Sequence, residues 1–363
     1  MYNSAIKILN ILAKFGYKAY IVGGYPRDLY LKRSSSDIDI CTDATPKDII
    51  NIFDEVITTN SEYGSIIISF EKIKFEITTF RIEEKYIDFR RPSKITYTEN
   101  LEDDLKRRDF TINTLCIDKD GNQIDLLNAK SDLDNKIIRM VGNPKIKLKE
   151  DALRILRAIR FATILDFELE PVLKVYIKKY ASLVKKISKE RQKEELDIIF
   201  SSSNKEYGIK LLNELKLSDY LEIPLLKKIA ITPSMIVTWS NLNVLNKFPF
   251  NTNEKETIIK LGELQKKNLL DKRTLYEYGL YDCLLASELT NTSKKLINEI
   301  YAKMPIHSKT DIALKPEDIC KILNKEPGSF LKSVISDLEE KILLGTIKNN
   351  KKEVEKYIVD NYK

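Results

Sequence analysis

The stretches "IVGGYPRD" (residues 21–28) and "SDIDIC" (residues 36–41) decide the fold of the N-terminal part of this chain. The first is typical of a strand end, a Gly-Gly turn and a helix start, and the second of a strand. Side chains alternate between the two faces of a strand, so Asp37 and Asp39 are predicted to project together, opposite the isoleucines that alternate with them. Two carboxylates on one face repel each other unless a cation joins them.

A divalent cation held by both carboxylates would remove this repulsion. Mg²⁺ prefers oxygen ligands and commonly binds one or two carboxylates together with substrate phosphates. Gly23 and Gly24 have no side chains, so their backbone N–H groups could approach a triphosphate closely, and Arg27 would add a bidentate phosphate contact. Either motif alone is a weak signal, but together they predict a site for displacement at phosphorus with Asp37 and Asp39 as catalytic metal ligands.

Composition places the chain among soluble proteins of two or three domains, with 363 residues, 43% hydrophobic and 32% charged. The formal net charge of +7 permits an anionic partner such as RNA, although Lys-rich solvated helices give the same value. No run of about 18 apolar residues and no signal peptide is recognisable, so we expect no membrane association.

The number and spacing of the cysteines and histidines exclude several kinds of site. The four cysteines are far apart in the sequence, which argues against a disulfide framework and a cysteine-based zinc site and favours a cytoplasmic location. The single histidine, His307, excludes sites that need two or more histidines. Carboxylates therefore remain as the expected metal ligands.

The hydrophobic pattern predicts an α+β protein. Short strands and helices alternate over the first 120 residues, and from about residue 145 helical patterns take over. We expect a catalytic head at 1–140, a helical neck at 141–204 and a helical body and tail at 205–363.

Glu76 offers a third carboxylate. It lies in "FEITTFR" (residues 75–81), which we predict to be one strand of an antiparallel hairpin, with Phe75 and Ile77 on the opposite face. Glu76 would either take part in the catalytic metal site, as a ligand or as a support, or be an ordinary surface residue of the strand.

The segment "KRRDFTINTL" (residues 106–115) adds Arg108, Asp109 and Asn113 to the candidate nucleotide-binding residues. Arginine is the preferred partner of phosphates and of planar bases, and Asn113 could meet the sugar of a nucleotide. The alternative is an ion-paired end of a helix or strand.

The segment "EDALRILRAIRF" (residues 150–161) is predicted to be a helix with Asp151, Arg154, Arg157 and Arg160 along one side. A carboxylate accepts a hydrogen bond from an exocyclic amino group, and a guanidinium donates to a ring acceptor. Cytosine and adenine both present this amino-and-acceptor edge, whereas guanine and uracil present the reverse. Asp151 and Arg154 could therefore select C and A without a nucleic-acid template, unless the segment is only a salt-bridged, solvated helix.

These segments, together with "DLLNAKSDLDNKIIRMVGNP" (125–144) and "KERQKEEL" (189–196), occur in an order that resembles the class II tRNA nucleotidyltransferases. This family contains the CCA-adding enzymes and resembles bacterial poly(A) polymerases, and the likeness covers about residues 15–200. The chain departs from the family at Pro26, where a Val-like residue is usual.

The resemblance implies a DNA polymerase β-like head, followed by an all-α region whose body and tail bind tRNA. It implies that Asp37 and Asp39 hold Mg²⁺ and that Gly24, Arg27 and Arg108 surround the phosphates. It also implies that Asp151 and Arg154 act as the protein template for the base, assisted by Arg157 and Arg160.

The implied reaction is addition of C, C and A to tRNA from CTP and ATP with release of pyrophosphate. A-adding-only, CC-adding-only and poly(A)-forming relatives leave alternatives open, although residues 82–98 lie where the family has a flexible loop associated with addition of A, which disfavours a CC-only enzyme. A nucleotidyltransferase for small molecules and an inactive RNA-binding module are the other hypotheses.

Overall fold

The computed structural model describes residues 1–35, 37–60, 63–87 and 91–363, which form two compact units. The first unit spans Met1–Lys227 and the second spans Lys228–Lys363. The divisions that we predict near residues 140 and 204 both lie inside the first unit.

A mixed sheet forms the centre of the first part of unit 1. Among the described residues its seven strands follow the spatial order β3-β4-β5-β2-β1-β8-β9. They are β1 (Ala19–Val22), β2 (Asp39–Thr42), β3 (Val56–Asn60), β4 (Ser65–Phe70), β5 (Ile73–Thr79), β8 (Cys116–Ile117) and β9 (Gln123–Ile124). Strand β2 pairs antiparallel with β1 and parallel with β5, so β2 lies in the interior of the sheet.

Further short strands lie outside this sheet. The chain leaves β5 into an antiparallel pair, β6 (Arg81–Ile87) and β7 (Arg91–Tyr97), where the resemblance implied a flexible loop. Residues 88–90 of that segment lie outside the described residues. A parallel pair of two-residue strands, β10 (Ile137–Ile138) and β11 (Glu168–Leu169), adds a strand inside the predicted helical neck.

Helices cover the sheet because isoleucines alternate along its strands. Ile38, Ile40, Ile66 and Ile77 are buried in one core together with residues of the first helix. The helices of this part are α1 (Tyr2–Lys14), α2 (Gly24–Tyr30), α3 (Pro46–Ile52), α4 (Leu101–Lys106) and α5 (Ala129–Asp134). The segment "TPKDIINIFDE" (residues 45–55) predicts a helix with Thr45 as N-cap and Pro46 at its first position. Helix α3 begins in this way, and Thr45 forms a capping box with Asp48.

The second half of unit 1 is built around α7, whose apolar residues are nearly all buried. It packs against α9 and α10. The helices of this half are α6 (Pro144–Glu150), α7 (Leu153–Leu165), α8 (Pro171–Lys179), α9 (Lys189–Ser201), α10 (Lys205–Glu214) and α11 (Leu217–Tyr220).

Unit 2 is helical and has its own core, which includes Leu261, Ile297, Leu338 and Ile358. Its helices are α12 (Met235–Leu242), α13 (Thr252–Leu264), α14 (Lys272–Thr290), α15 (Lys294–Ala302), α16 (Pro316–Leu323), α17 (Phe330–Leu343) and α18 (Lys351–Tyr362). The predicted fold class, a mixed sheet with helices followed by a helical region, is confirmed. Across the described residues, the helices are all too short or too polar to span a bilayer.

Gly208 allows the close packing of α10 on α7. A Cβ at this position would lie 2.4 Å from Thr163 Oγ1 and 2.7 Å from Ile199 Cγ2. We therefore expect Gly208→Ala to lower the free energy of unfolding by about 1–3 kcal/mol, measured by urea denaturation.

Gly262→Ala is the matched control for this substitution. Gly262 lies in helix α13, and the space that an added methyl group would occupy there has no neighbouring atom within 4 Å. Alanine at this position should be neutral or stabilising by up to about 1 kcal/mol. Equal effects of the two substitutions would contradict the packing of α10 on α7.

Candidate active site

The Gly-Gly turn lies directly beside the first residue of β2. Val22 at the end of β1 is the register partner of Asp39, so Gly23 follows at the height of that carboxylate. Gly23 has a φ of +85°, and a Cβ there would lie 3.2 Å from Asp39 Oδ2. Glycine thus permits both the backbone conformation and the close approach of the turn to the carboxylate.

The predicted alternation of acids and isoleucines is present. Ile38 and Ile40 are buried, whereas Asp37 is exposed and Asp39 is partly exposed. Strand β2 begins at Asp39, so Asp37 precedes the strand rather than lying within it.

Glu76 of β5 lies beside these acids and is exposed, which leaves open both alternatives from the sequence, a part in the metal site and a surface position on the strand. It is the register partner of Asp39 on the neighbouring parallel strand, and Phe75 and Ile77 point into the core on the other face. Burial, followed by the charges of Asp37 and Glu76, raises the pKa of Asp39 to about 6.

A buried carboxylate holds the arginine pair at the end of α4. Asp104 is fully buried and accepts hydrogen bonds from Arg107 Nε at 2.8 Å and from Arg108 Nη2 at 3.2 Å. Burial opposes ionisation of Asp104, but the two guanidinium groups outweigh it and lower its pKa. Arg108 is therefore fixed from behind, and its Nε is buried with no hydrogen-bond partner among the described residues.

A chain of polar contacts links α2 to α7. Arg27 Nη1 donates to Asn113 Oδ1 at 2.7 Å, and Asn113 Nδ2 donates to Asp109 Oδ1 at 3.1 Å. Asp109 Oδ2 in turn forms an ion pair with Arg157 at 2.6 Å. Burial opposes ionisation of Asp109, but Arg157 and the hydrogen bonds to the carboxylate lower its pKa to about 2.

The predicted helix at 150–161 is divided. Helix α6 ends at Glu150 and α7 begins at Leu153, so Asp151 lies between two helices instead of one turn before Arg154 on the same helix. The prediction of one continuous helix is wrong because Asp151 acts as a cap: its Oδ1 accepts the backbone N–H of Leu153 at 3.0 Å. Burial raises the pKa of Asp151.

Arg154 is buried rather than solvated. Its guanidinium contacts the carboxylate of Glu150 at 3.1 Å and the backbone carbonyls of Lys147 and Arg107 at 2.9 and 3.2 Å. The alternative of a solvated helix with i,i+3 ion pairs is therefore wrong for this segment.

A cavity of about 650 Å³ collects most of the predicted residues on its wall. The predicted residues among its lining are Gly23, Gly24, Arg27, Asp39, Arg108, Asp109, Asn113, Asp151, Arg154 and Arg157. Asp37, Glu76 and Arg160 are not part of this lining. The volume lies in the range of small-molecule sites, and the many arginines suit an anionic ligand.

Comparison with known proteins identifies the family. A model described as the poly A polymerase head domain matches residues 19–139, one described as a probable RNA and SrmB-binding site of polymerase A matches 166–229, and one described as tRNA nucleotidyltransferase domain 2 matches 235–358. The CCA-adding enzyme of Bacillus subtilis is 32% identical over 98% of this chain and 97% of its own length. The chain belongs to the CCA-adding enzyme family.

Other members of the CCA-adding enzyme family agree with this assignment. The enzyme of Staphylococcus epidermidis is 32% identical over 99% of this chain and 98% of its own length. The crystal structure of the Bacillus stearothermophilus CCA-adding enzyme in complex with CTP superposes with a TM-score of 0.84 at 26% identity, covering 99% of this chain and 97% of that one. The resemblance seen in the sequence motifs is thereby confirmed.

Nucleotidyltransferases of this family generally use a divalent metal ion. The residues fit such an ion, because Asp39 is a hard oxygen donor whose carboxylate has no ion pair or hydrogen bond among the described residues, and Asp37 lies close enough to raise its pKa. In the described ranges no three His, Cys, Asp or Glu side chains are grouped to hold a metal by themselves. Two carboxylates completed by substrate phosphates need no third side chain.

Several cavity residues were missed in the sequence. Arg191 comes from α9, Phe161 from α7, and Arg81 and Glu83 from β6. Arg160 is held behind the cavity by Glu195, at 3.2 Å, from the motif "KERQKEEL" that the sequence identified without assigning a role.

We expect Asp39→Asn to stabilise the metal-free protein at pH 8. A carboxyl whose pKa is about 6 in the folded protein and 3.8 in its ordinary state opposes folding while it is ionised, and this opposition disappears as the pH falls from 6 to below 3.8. The gain should be about 1–3 kcal/mol at pH 8, about half of that at pH 5 and none below pH 3.8, measured by urea denaturation in EDTA.

Asp54→Asn is the matched control for this experiment, because Asp54 is an exposed aspartate of the same unit. It should change the free energy of unfolding by no more than about 0.5 kcal/mol at either pH. A loss of stability for Asp39→Asn at pH 8 would mean that a cationic side chain neutralises Asp39.

Proposed function

We propose that this chain adds C, C and A to the 3′ end of tRNA, using CTP and ATP and releasing pyrophosphate, without a nucleic-acid template. The observation that carries this proposal is the single cavity whose wall contains both Asp39 and the pair Asp151 and Arg154. A nucleotide bound there has its phosphates and its base within reach of different parts of one wall. Related CCA-adding enzymes have been solved in complex with CTP, with ATP and with tRNA, which supports the same substrates here.

Asp37 and Asp39 are the metal ligands in this proposal, and Mg²⁺ is the ion. When bound, Mg²⁺ would offset the charge that develops on the reacting phosphate and increase the acidity of the attacking 3′-hydroxyl. Asp39 is mostly ionised at neutral pH, because its pKa of about 6 lies below 7. Glu76 acts as a supporting charge of this catalytic group, because it raises the pKa of Asp39 from the adjacent strand.

The phosphates of the nucleotide bind to the side of the cavity that faces the Gly-Gly turn. Backbone N–H groups of Gly23 and Gly24 and the guanidinium groups of Arg27 and Arg108 supply donors to anionic oxygens. Arg108 keeps its orientation because Asp104 binds it from the opposite side. Asp109 and Asn113 support the same wall, since they connect Arg27 to Arg157 through hydrogen bonds.

Asp151 and Arg154 read the base. Oδ1 of Asp151 caps α7, whereas Oδ2 accepts no hydrogen bond from the described residues and is left to accept from the amino group of cytosine or adenine. Arg154 is fixed by Glu150 and two carbonyls, so its guanidinium can donate without first losing side-chain freedom. Arg157 and Arg160 assist by maintaining ion pairs with Asp109 and Glu195.

The division of labour along the chain follows the predicted domains. We assign catalysis to the head at 1–140, base selection to the neck at 141–204, and tRNA binding to the body and tail at 205–363. The match of residues 166–229 to a probable RNA-binding model supports RNA contacts that begin within the neck. The four cysteines are buried and free, which supports a location in the reducing cytoplasm.

The reaction itself is tested by product sequencing. The protein is incubated with Mg²⁺, all four nucleoside triphosphates and a tRNA transcript that lacks its last three nucleotides, and the product 3′ ends are sequenced. We expect C, C and A in that order and no further growth. Products that stop at CC or grow into poly(A) would identify the corresponding alternative. A second transcript that already ends in CC identifies an A-adding-only enzyme, which would extend this transcript alone, whereas no incorporation on either transcript would leave an RNA-binding module.

We expect Asp37→Ala to abolish nucleotide incorporation while tRNA binding, measured by gel shift, is retained. Removal of one of two metal-binding carboxylates removes the charge stabilisation of the transferred phosphate, and a loss of at least about 10³-fold in kcat follows. Asp54→Ala, at an exposed aspartate of the same unit, should leave the rate unchanged. Retained turnover in Asp37→Ala would remove Asp37 from the metal-binding role.

We expect Asp151→Asn to lower base selectivity without unfolding the neck. Asparagine caps a helix about as well as aspartate, so the bond to Leu153 N–H is preserved and the melting temperature should stay the same. The amide replaces one acceptor by a donor, so kcat/KM for CTP should fall by at least about tenfold relative to UTP. Unchanged discrimination against UTP and GTP would contradict a protein template that includes Asp151.

A further inference from the structure

Three guanidinium groups surround the ring of Phe161. The Cζ atoms of Arg160, Arg27 and Arg157 lie 4.5, 5.2 and 5.6 Å from the ring centroid. The ring is 6% exposed, and it packs edge-on against Phe110 with 5.6 Å between the centroids. Phe161 therefore joins one arginine of α2 to two arginines of α7.

Each of these arginines has its own carboxylate. Arg27 pairs with Asp28 at 2.9 Å, Arg157 with Asp109 at 2.6 Å, and Arg160 with Glu195 at 3.2 Å, so the like charges are balanced individually. Asp109 also connects Arg157 to Arg27 through Asn113, but no such link among the described residues includes Arg160 and its partner Glu195. The feature that all three cations share is the aromatic ring.

An aromatic ring attracts cations in a way that an aliphatic side chain of similar size does not. The negative face of the ring interacts with a guanidinium within about 6 Å, and the attraction is stronger where water is excluded. Arg27 and Arg157 line the cavity together with Phe161, whereas Arg160 does not. The ring is thus placed to hold two cavity arginines from within the wall, while the third packs behind them.

We propose that Phe161 is a positioning residue that orients Arg27 and Arg157 for the triphosphate of the incoming nucleotide. This inference rests on the proposed function, because it takes a nucleoside triphosphate as the ligand of the cavity. The ring acts on the anionic part that CTP and ATP share. Loss of the ring therefore weakens the binding of CTP and of ATP equally. The choice of base remains with Asp151 and Arg154.

The test reduces the negative charge on the face of the ring and keeps the shape of the side chain nearly the same. Phenylalanines with one, two and five ring fluorines are incorporated at position 161 of the full-length protein, which reduces the negative charge of the face stepwise. Binding of CTP, ATP and inorganic tripolyphosphate is measured by calorimetry, and melting temperature is measured for each variant. We expect Kd for all three ligands to rise with each step, reaching about tenfold for the pentafluoro ring, with unchanged melting temperature.

Phe75 provides the matched control. It is 1% exposed in the core beneath the sheet, with no guanidinium over its ring among the described residues, so the same fluorinated series there should leave every Kd unchanged. Phe161→Tyr retains the aromatic face and should stay within about threefold of the wild type, whereas Phe161→Leu should weaken binding at least as much as the pentafluoro ring.

The outcomes separate this inference from the proposed function. A Kd series at position 161 that is flat, or that falls with fluorination, overturns the positioning role even if the wild-type protein adds CCA. A rise for CTP without a rise for tripolyphosphate also overturns it, because the ring would then act on the base or sugar. Absence of CCA addition by the wild type contradicts the proposed function, whereas the tripolyphosphate series still decides the role of Phe161.

Discussion

The carboxylate of Asp39 is left without a cationic partner in a cavity that is lined by arginines, and the arrangement of the site depends on this fact. Six arginines of the wall already pair with other carboxylates; the pairs are Arg27–Asp28, Arg81–Glu83, Arg107–Asp104, Arg108–Asp104, Arg154–Glu150 and Arg157–Asp109. Burial and the like charges of Asp37 and Glu76 outweigh the attraction of the nearby Arg108, so they raise the pKa of Asp39. Arg108 is instead bonded to Asp104, which leaves the Asp39 carboxylate available to a metal ion.

The pairing of the strands keeps Asp39 close to Glu76 although their charges repel each other. Parallel pairing of β2 with β5 puts Glu76 beside Asp39, and antiparallel pairing with β1 brings the Gly-Gly turn against the same carboxylate. The register cannot slip by one residue, because the buried isoleucines on the opposite face would then be exposed. Packing of the core therefore stabilises a group of charges that would otherwise separate.

The sequence predicted the elements that depend on local patterns. Alternation in "SDIDIC" and "FEITTFR" gave the correct faces for Asp39 and Glu76, and the capping pattern at Thr45 gave the correct start of α3. The helix predicted from residue spacing is wrong at Asp151, because Asp151 caps the next helix. In the sequence, an aspartate that caps a helix cannot be told from one that lies within a helix. Motif order identified the family, which the comparisons confirm.

Sequence patterns do not show which charged residues far apart in the chain form ion pairs. Charge patterns do not state that Arg160 pairs with Glu195, 35 positions later, or that Asp104 holds Arg107 and Arg108 from inside the protein. The first compact unit likewise extends to Lys227, because α10 packs on α7 and the helical segments after α10 pack on α10 in turn, and nothing in the composition changes there. Such features depend on tertiary packing, which a single sequence does not display.

The most direct measurement of the central claim is the pH dependence of Mn²⁺ binding to the nucleotide-free protein, followed by electron paramagnetic resonance. If Asp39 is an unpaired ligand with a pKa of about 6, Kd should be constant above about pH 6.5 and rise by about tenfold per pH unit below about pH 6, because protons compete for the carboxylate. A Kd that stays constant down to about pH 4 would show that Asp39 is neutralised by the protein itself and would contradict the account.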